Sequence, residues 1–428
     1  IIIGNFSDDF GTVWTEALPG SEPHAHYYID DVSVTCLTSW IDLDSGVGGP
    51  VMALTSHSGT LCAGGAFVSA GGSPANFIAE WNGTAWAPLG SGINGFAYAL
   101  ASYAGNLYAG GEFTSAGGTA VNNIAKWNGF TWSPVGTPIE GTNGPVNAML
   151  VVHETSGAVL YVGGEFTSAG GTAVNNIAKW NGVTWSSPGS GVTGGGSPHV
   201  NALGVYDDGN GPLVIAGGAF TTAGGSAANN IAAWDPATSS WSALGAGLAN
   251  APLAIHQYPR EGGGMDLWVG GWEMNDPGYN ALQIWNGSTW VGSPPNVNNT
   301  VSALEIHSEG DETALVAGGS FDFIEGIGVD RVASWNGTVW SAFEIGLDDY
   351  GVLALHSFSY TLYAGGAFIY LGGNPLHYIA EWDGCGGGKG IGLSIPTLTG
   401  WGVLVLLMLL VVTSIAIVRR KNRVNPNL

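Results

Sequence analysis

Short runs of alternating or wholly apolar residues, five to eight long and closed by glycine, fill most of this chain and predict β-strands rather than helices. One run, apolar and ending in Gly-Gly, recurs seven times, as Leu61–Phe67, Leu107–Phe113, Leu160–Phe166, Val214–Phe220, Leu267–Glu273, Leu315–Phe321 and Leu362–Phe368. Before each comes a run of the Val-Asn-Ala-Leu type, as at Val51–Leu54, Val146–Met149, Val200–Leu203 and Val301–Leu304. After each comes a small-residue loop and then a run such as Asn122–Trp127 or Asn175–Trp180. A turn then delivers a second tryptophan, as in Trp81–Trp86, Trp127–Trp132, Trp180–Trp185, Trp285–Trp290 and Trp335–Trp340. Each unit thus reads as four strands, a to d. Asn-Gly after the first tryptophan predicts a tight type I′ hairpin between strands c and d, with one tryptophan on each arm to pack between neighbouring sheets.

The first glycines of the seven pairs stand at positions 64, 110, 163, 217, 270, 318 and 365. A spacing of about 50 residues fits the blades of a β-propeller and is too long for leucine-rich, ankyrin or tetratricopeptide units. The expected fold class is therefore all-β, a seven-bladed β-propeller over residues 36–385. The seventh unit has no second tryptophan after Trp382, whereas Trp40–Val47 resembles a strand d and precedes the first strand a. The N-terminal segment is therefore expected to complete the seventh blade and close the ring, leaving no free sheet edge. That seam would bring Cys36 and Cys385 together, and a disulfide between them is the working hypothesis. Cys62 occupies a strand-b slot filled elsewhere by Tyr108, Tyr161, Ile215, Trp268, Val316 and Tyr363, which marks it as a buried, inert thiol.

Trp234-Asp235-Pro236-Ala237-Thr238-Ser239-Ser240-Trp241 departs from the Asn-Gly turn. With Gly-Gly after strand b it resembles the kelch motif, and the resemblance covers about Cys36 to Cys385. It implies a propeller and a binding platform, not a chemistry.

Composition narrows the partners. Of 428 residues 72 are Gly and 18 Trp, and 9 Lys+Arg face 32 Asp+Glu for a net charge of −23. Four of the cations (Arg419, Arg420, Lys421 and Arg423) lie in the last ten residues, so the rest of the chain is more acidic still. Such a body repels phosphate backbones, and no nucleic-acid partner is expected. Three cysteines are too few for a disulfide scaffold or a zinc site of the usual spacing.

The ends differ from the repeat. Residues 1–35 read as the remnant of a truncated β-sandwich, and Tyr27–Val34 resembles the closing strand of jelly-roll modules; the chain starts with Ile1 and is expected to be a fragment or a processed product. Residues 386–394 form a Gly-rich linker. In 395–428, Ile395, Pro396, Thr397 and Leu398 are followed by Trp401 and Gly402, an uncharged run to Val418 and the basic tail. This order resembles the IPTL-type C-terminal sorting signal of Gram-negative bacteria. It implies export, a transmembrane helix with the C-terminus cytoplasmic and the propeller outside, and an exosortase-like enzyme as partner; a permanent single-span anchor is the alternative reading.

Candidate chemistry is sparse. One polar residue stands five positions before the first tryptophan of every unit: Asn76, Asn122, Asn175, Asn229, Asn280, Asp330 and His377. These could ring one face and bind a glycan by its hydroxyls, with tryptophans as stacking surfaces; alternatively each bonds its own loop backbone. His57, Tyr103, Tyr206, Tyr258, His307 and Phe358 share one slot, an exchange that packing tolerates and metal ligation does not. Asp207–Gly211 lacks the spacing of a calcium loop, yet it and Glu309–Glu312 leave room for weak calcium binding; no other cofactor is expected. Only Arg260 and Arg331 precede the tail, too few for a sialidase clamp, and no Gly-Lys-Ser/Thr cradles a nucleotide. The expected function is a non-catalytic binding, adhesion or structural module at the cell surface, with a glycan or protein ligand. The competing reading is a glycan hydrolase or lyase using carboxylates at the propeller mouth. A third reading is a spacer carrying the lost N-terminal domain.

Overall fold

The computed structural model describes residues 39–136, 141–272, 281–291, 295–309, 312–343, 346–347, 350–371, 374–375 and 377–383. The chain divides into two compact units, Ile1–Leu37 and Thr38–Leu428, and every described residue belongs to the second. Asn280, Cys36, Cys385, the remnant, the linker and the 395–428 segment lie outside the described residues. Among those described there is no helix, and hence none long and apolar enough to cross a membrane.

Seven antiparallel sheets repeat one plan: a pairs with b, b with c and c with d. The fifth sheet has three strands, and its fourth is reduced to a bridge between Trp285 and Trp290. Strand β1 (Ser39–Asp42) precedes the first unit. The a strands are β2 (Val51–His57), β3 (Phe96–Tyr103), β4 (Val146–Glu154), β5 (His199–Tyr206), β6 (Pro252–Pro259), β7 (Val301–Glu309) and β8 (Val352–Phe358). Each a strand lies beside that of the next unit, and β8 lies beside β2. The last described strand, β9 (Ile379–Asp383), takes β1 as its outer neighbour, with Trp40 opposite Trp382. The outermost strand of the last sheet therefore comes from the start of the described chain.

The Gly-Gly signature has two separate causes. The first glycine faces the next sheet: a Cβ on Gly110 would lie 2.4 Å from Val146, on Gly163 2.5 Å from Val200, and on Gly365 2.4 Å from Val51. The second faces its own sheet, where a Cβ on Gly65 would lie 2.1 Å from the Pro50 carbonyl oxygen. There the register slips in the a strand between Val51 and Ala53 and between the matching two residues of every other unit, a bulge present in all seven sheets. The residue after the slip is alanine throughout, from Ala53 to Ala354, and 5–9% exposed in each.

Apolar clusters join neighbouring sheets; one gathers Val51, Leu61 and Trp81 of the first unit with Tyr363 and Ile379 of the seventh. The paired tryptophans stack at a tilt, 5.5 Å apart for Trp81–Trp86 and 5.2 Å for Trp180–Trp185. Strand-d indoles also reach backward: Trp132 Nε1 donates to the Leu89 carbonyl (2.8 Å), Trp241 to that of Pro188 (2.8 Å) and Trp86 to that of Leu43 (2.7 Å).

The hairpin differs from the type I′ expectation. Asn82 N–H donates to Ala85 O, and within the turn Gly83 has φ +96° while Asn82 is absent from the positive-φ residues. Glycine thus occupies the first central position of a two-residue loop, as in type II′. The asparagine acts through its side chain, with Oδ1 accepting the N–H groups of Thr84 and Ala85 at 2.9 Å each. In the fourth unit Asp235 does the same for Ala237 (2.8 Å) and Thr238, whose hydroxyl bond holds the carboxyl below its usual range.

Candidate functional site

The polar residues preceding strand c stand at the end of the sheets where strand a begins and strand b ends. Their carbonyls accept the N–H of the segment leading to the next unit: Asn76 from Ile93, Asn122 from Thr142, Asn175 from Val192, Asn229 from Leu248, Asp330 from Leu347 and His377 from Val47. Four of their side chains turn to the same segments. Asn76, Asn175 and Asn229 donate to the carbonyls of Ser91 (3.0 Å), Ser190 (2.8 Å) and Ala246 (3.1 Å), and His377 Nδ1 lies 3.0 Å from Asp42 Oδ2. These residues fasten each unit to the next, the role that Asn's affinity for loop backbone supports. Asn76, Asn229, Asp330 and His377 keep an exposed flank.

The following residue was not singled out from sequence. It holds a left-handed backbone in six units, as Phe77, Asn123, Asn176, Asn230, Arg331 and Tyr378, and in the sixth Asp330 does so too; φ is +59° at Asn123, +62° at Asn176 and +61° at Asn230. Asn tolerates that conformation, and these three also donate to the carbonyls of Thr142, Val192 and Leu248. Phe77 (φ +62°) and Tyr378 (φ +65°) occupy the same position at a steric cost. Phe77 meets Phe96 edge-on at 5.8 Å, and Phe96 meets Tyr98 at 6.1 Å, while the Tyr98 hydroxyl reaches Glu112 Oε2 at 3.4 Å. Phe96 is 41% exposed, and Trp272, Phe323, Tyr350 and Val68 are exposed at the same end of their sheets.

The shared His/Tyr/Phe slot joins units. His57 Nδ1 bonds the Ser102 hydroxyl (2.9 Å) and His307 Nδ1 that of Ser357 (3.0 Å), while the Tyr103 and Tyr258 hydroxyls donate to the carbonyls of Ala158 (3.0 Å) and Thr313 (2.9 Å). Asp207 Oδ1 accepts the N–H groups of Gly209 and Gly211, which is turn chemistry. Among the described residues no group of three or more His, Cys, Asp and Glu could hold a metal ion. Burial pushes the Cys62 thiol up to about 12.

A polar cluster on the a strands also escaped the sequence reading. Two places after that alanine, β2 to β8 carry Thr55, Ala101, Leu150, Gly204, His256, Glu305 and His356, so three titratable side chains stand on consecutive strands. Aligning the a strands by their alanine would have found them. Glu305 Oε1 accepts the Ser357 N–H at 3.2 Å and lies 3.9 Å from His356 Nδ1. Burial raises the Glu305 carboxyl to about 7 and lowers His356 to about 4; His256 is also held low by burial.

The family profile of the Rax2 C-terminal beta propeller domain matches residues 130–346, just over half of the chain. The chain belongs to that family. It is thus a β-propeller protein, and membership in the Rax2 propeller family supports a binding or structural module in general terms. Two solved structures align with it. One is the computationally designed Ika8 protein, at 14% identity, 80% of this chain, 99% of that chain and a TM-score of 0.44. The other is the WD40 beta propeller domain of Doa1, at 12% identity, 81% of this chain, 97% of that chain and a TM-score of 0.46. No curated protein sequence matches the chain.

Proposed function

We propose that the chain is a closed, seven-bladed, kelch-like propeller serving as a non-catalytic binding module, displayed outside the cell through its IPTL-like C-terminal segment. The circuit of a strands, with β8 beside β2, supports a closed ring. The pairing of β1 with β9 supports a seventh blade completed from the N-terminal side.

The observation that carries the binding role is the aromatic run Phe77–Phe96–Tyr98 across the first two units, beside Asn76 and Glu112. A bulky Phe77 held at φ +62°, where three sibling units use Asn, is backbone strain of the kind tolerated at functional sites. Exposed aromatic faces flanked by hydrogen-bonding groups suit a glycan, whose C–H faces stack and whose hydroxyls bond. A glycan array probed with the full chain and with Phe96→Ala tests this. The reading expects specific hits on the wild type that the variant loses; a blank array, or hits unchanged by the variant, would contradict it.

A further inference from the structure

The cluster on β6, β7 and β8 lacks a cation. Among the described residues the ion pairs of lysine and arginine are Lys179–Glu154, Arg260–Asp266 and Arg331–Asp322, and none involves Glu305. Glu305 retains 23% of its side-chain exposure and His356 20%, so both are enclosed but not sealed. Among the described residues the Ser357 N–H is the one hydrogen-bond donor to the Glu305 carboxylate. His356 Nε2 is buried and has no hydrogen-bond partner. His256 directs Nδ1 to the Gln257 carbonyl at 2.8 Å.

The Glu305 carboxylate and His356 Nδ1, 3.9 Å apart with no hydrogen bond between them, are two acceptors side by side. Each unsatisfied buried polar group is costly, and a buried charge more so unless it is paired. The missing partner is therefore a donor, and one with positive charge would also pair the carboxylate. A metal ion lacks its ligand set here. A primary ammonium group brings three donors and one charge in a small volume. The same level of the other a strands carries Thr55, Ala101, Leu150 and Gly204, small or apolar residues that leave room for an aliphatic tail. The chain's excess of acids favours the approach of a cation.

We propose that Glu305 and His356 form a binding site on the a strands for the head of a primary alkylammonium ligand, with Glu305 as its counter-charge. The proposal rests on the reading of the propeller as a binding module. It requires only the adjacency of β7 and β8, not the glycan face.

Calorimetric titration of the full chain with n-butylammonium chloride at about pH 8.5, above the value near 7 to which burial raises Glu305, tests it, with potassium chloride and n-butanol as controls. The expected result is saturable binding of butylammonium alone, weakened about tenfold or more by Glu305→Gln, since a charge-assisted bond is worth roughly 1.5–3 kcal/mol. Asp208→Asn, which removes an exposed carboxylate elsewhere, should leave binding unchanged. No saturable binding, equal affinity in Glu305→Gln, or equal loss in Asp208→Asn would overturn the site. Thermal melts of the variants confirm that they fold. Glycan-array hits that persist while ammonium binding fails would remove this site and leave the binding module standing.

Discussion

Trp40 lies directly opposite Trp382, its indole 5.5 Å from its partner's and tilted by 60°, although the two come from opposite ends of the described chain. The pair reproduces what Trp81 and Trp86 do within one hairpin, so the seventh sheet obtains by long-range pairing what the others obtain locally. Trp40 is 1% exposed and also packs on Phe343 of the sixth unit at 5.4 Å. Trp40→Ala should therefore cost about 3–5 kcal/mol, as core tryptophan truncations do. Urea unfolding of Trp40→Ala, Trp382→Ala and the double variant should reveal a coupling energy between the two positions, as expected for residues in contact.

Gly365 makes the same point through space rather than pairing. Its missing Cβ would overlap Val51 Cγ1, so Gly365→Ala should destabilise by about 1–3 kcal/mol through overpacking. Adding Val51→Ala should recover part of that loss. Val146→Ala should not, because Val146 opposes Gly110 instead. Equilibrium unfolding of the three variants checks this.

Glu305 and His356 give folding opposite proton linkages. Glu305 rises from 4.5 to about 7 and His356 falls from 6.5 to about 4, both chiefly through burial. Between their ordinary values the folded pair holds one proton on Glu305 and the unfolded pair one on His356, so the pair adds little slope of stability against pH. Removing either partner exposes the other's slope. Glu305→Gln should become more stable as pH rises from about 4 to about 6.5, because the unfolded His356 then binds the extra proton. His356→Gln should lose stability as pH rises from about 4.5 to about 7, because the folded Glu305 then binds the extra proton. Each change should approach at most about 3 kcal/mol, and His256, lowered by burial, adds the same background to both. Thermal melts across that pH range read the two signs.

Cys62 is fully buried with its thiol pushed up to about 12. In a Cys36→Ser/Cys385→Ser background it should resist iodoacetamide at pH 8 and react only after unfolding. Mass spectrometry of native and urea-treated protein tests this.

Much of the architecture was legible because the units are built alike. Repeated Gly-Gly, paired tryptophans and a fixed spacing reported the strands, their order and the β1–β9 partnership, since each residue type answers a steric demand made once per sheet. The turn was misread because Asn-Gly suggests two positive φ angles, whereas here Asn82 serves by its side chain and Gly83 alone takes the positive angle. The site was less legible. Asn175 and Asn176 look alike in sequence, yet the first bonds the Ser190 carbonyl while the second takes the left-handed backbone and bonds that of Val192. Glu305 and His356 sit nearly a whole unit apart in sequence, and nothing local marks them. Only the side-by-side packing of β7 and β8 makes them neighbours.

Amide hydrogen exchange of Ser39–Asp42 tests the ring most directly. Closure by β1 predicts that this segment is protected to the level of Ile78–Trp81 and loses protection only with global unfolding. Exchange of Ser39–Asp42 as rapid as that of the exposed Asp208–Asn210 turn, in protein whose other sheets stay protected, would contradict it.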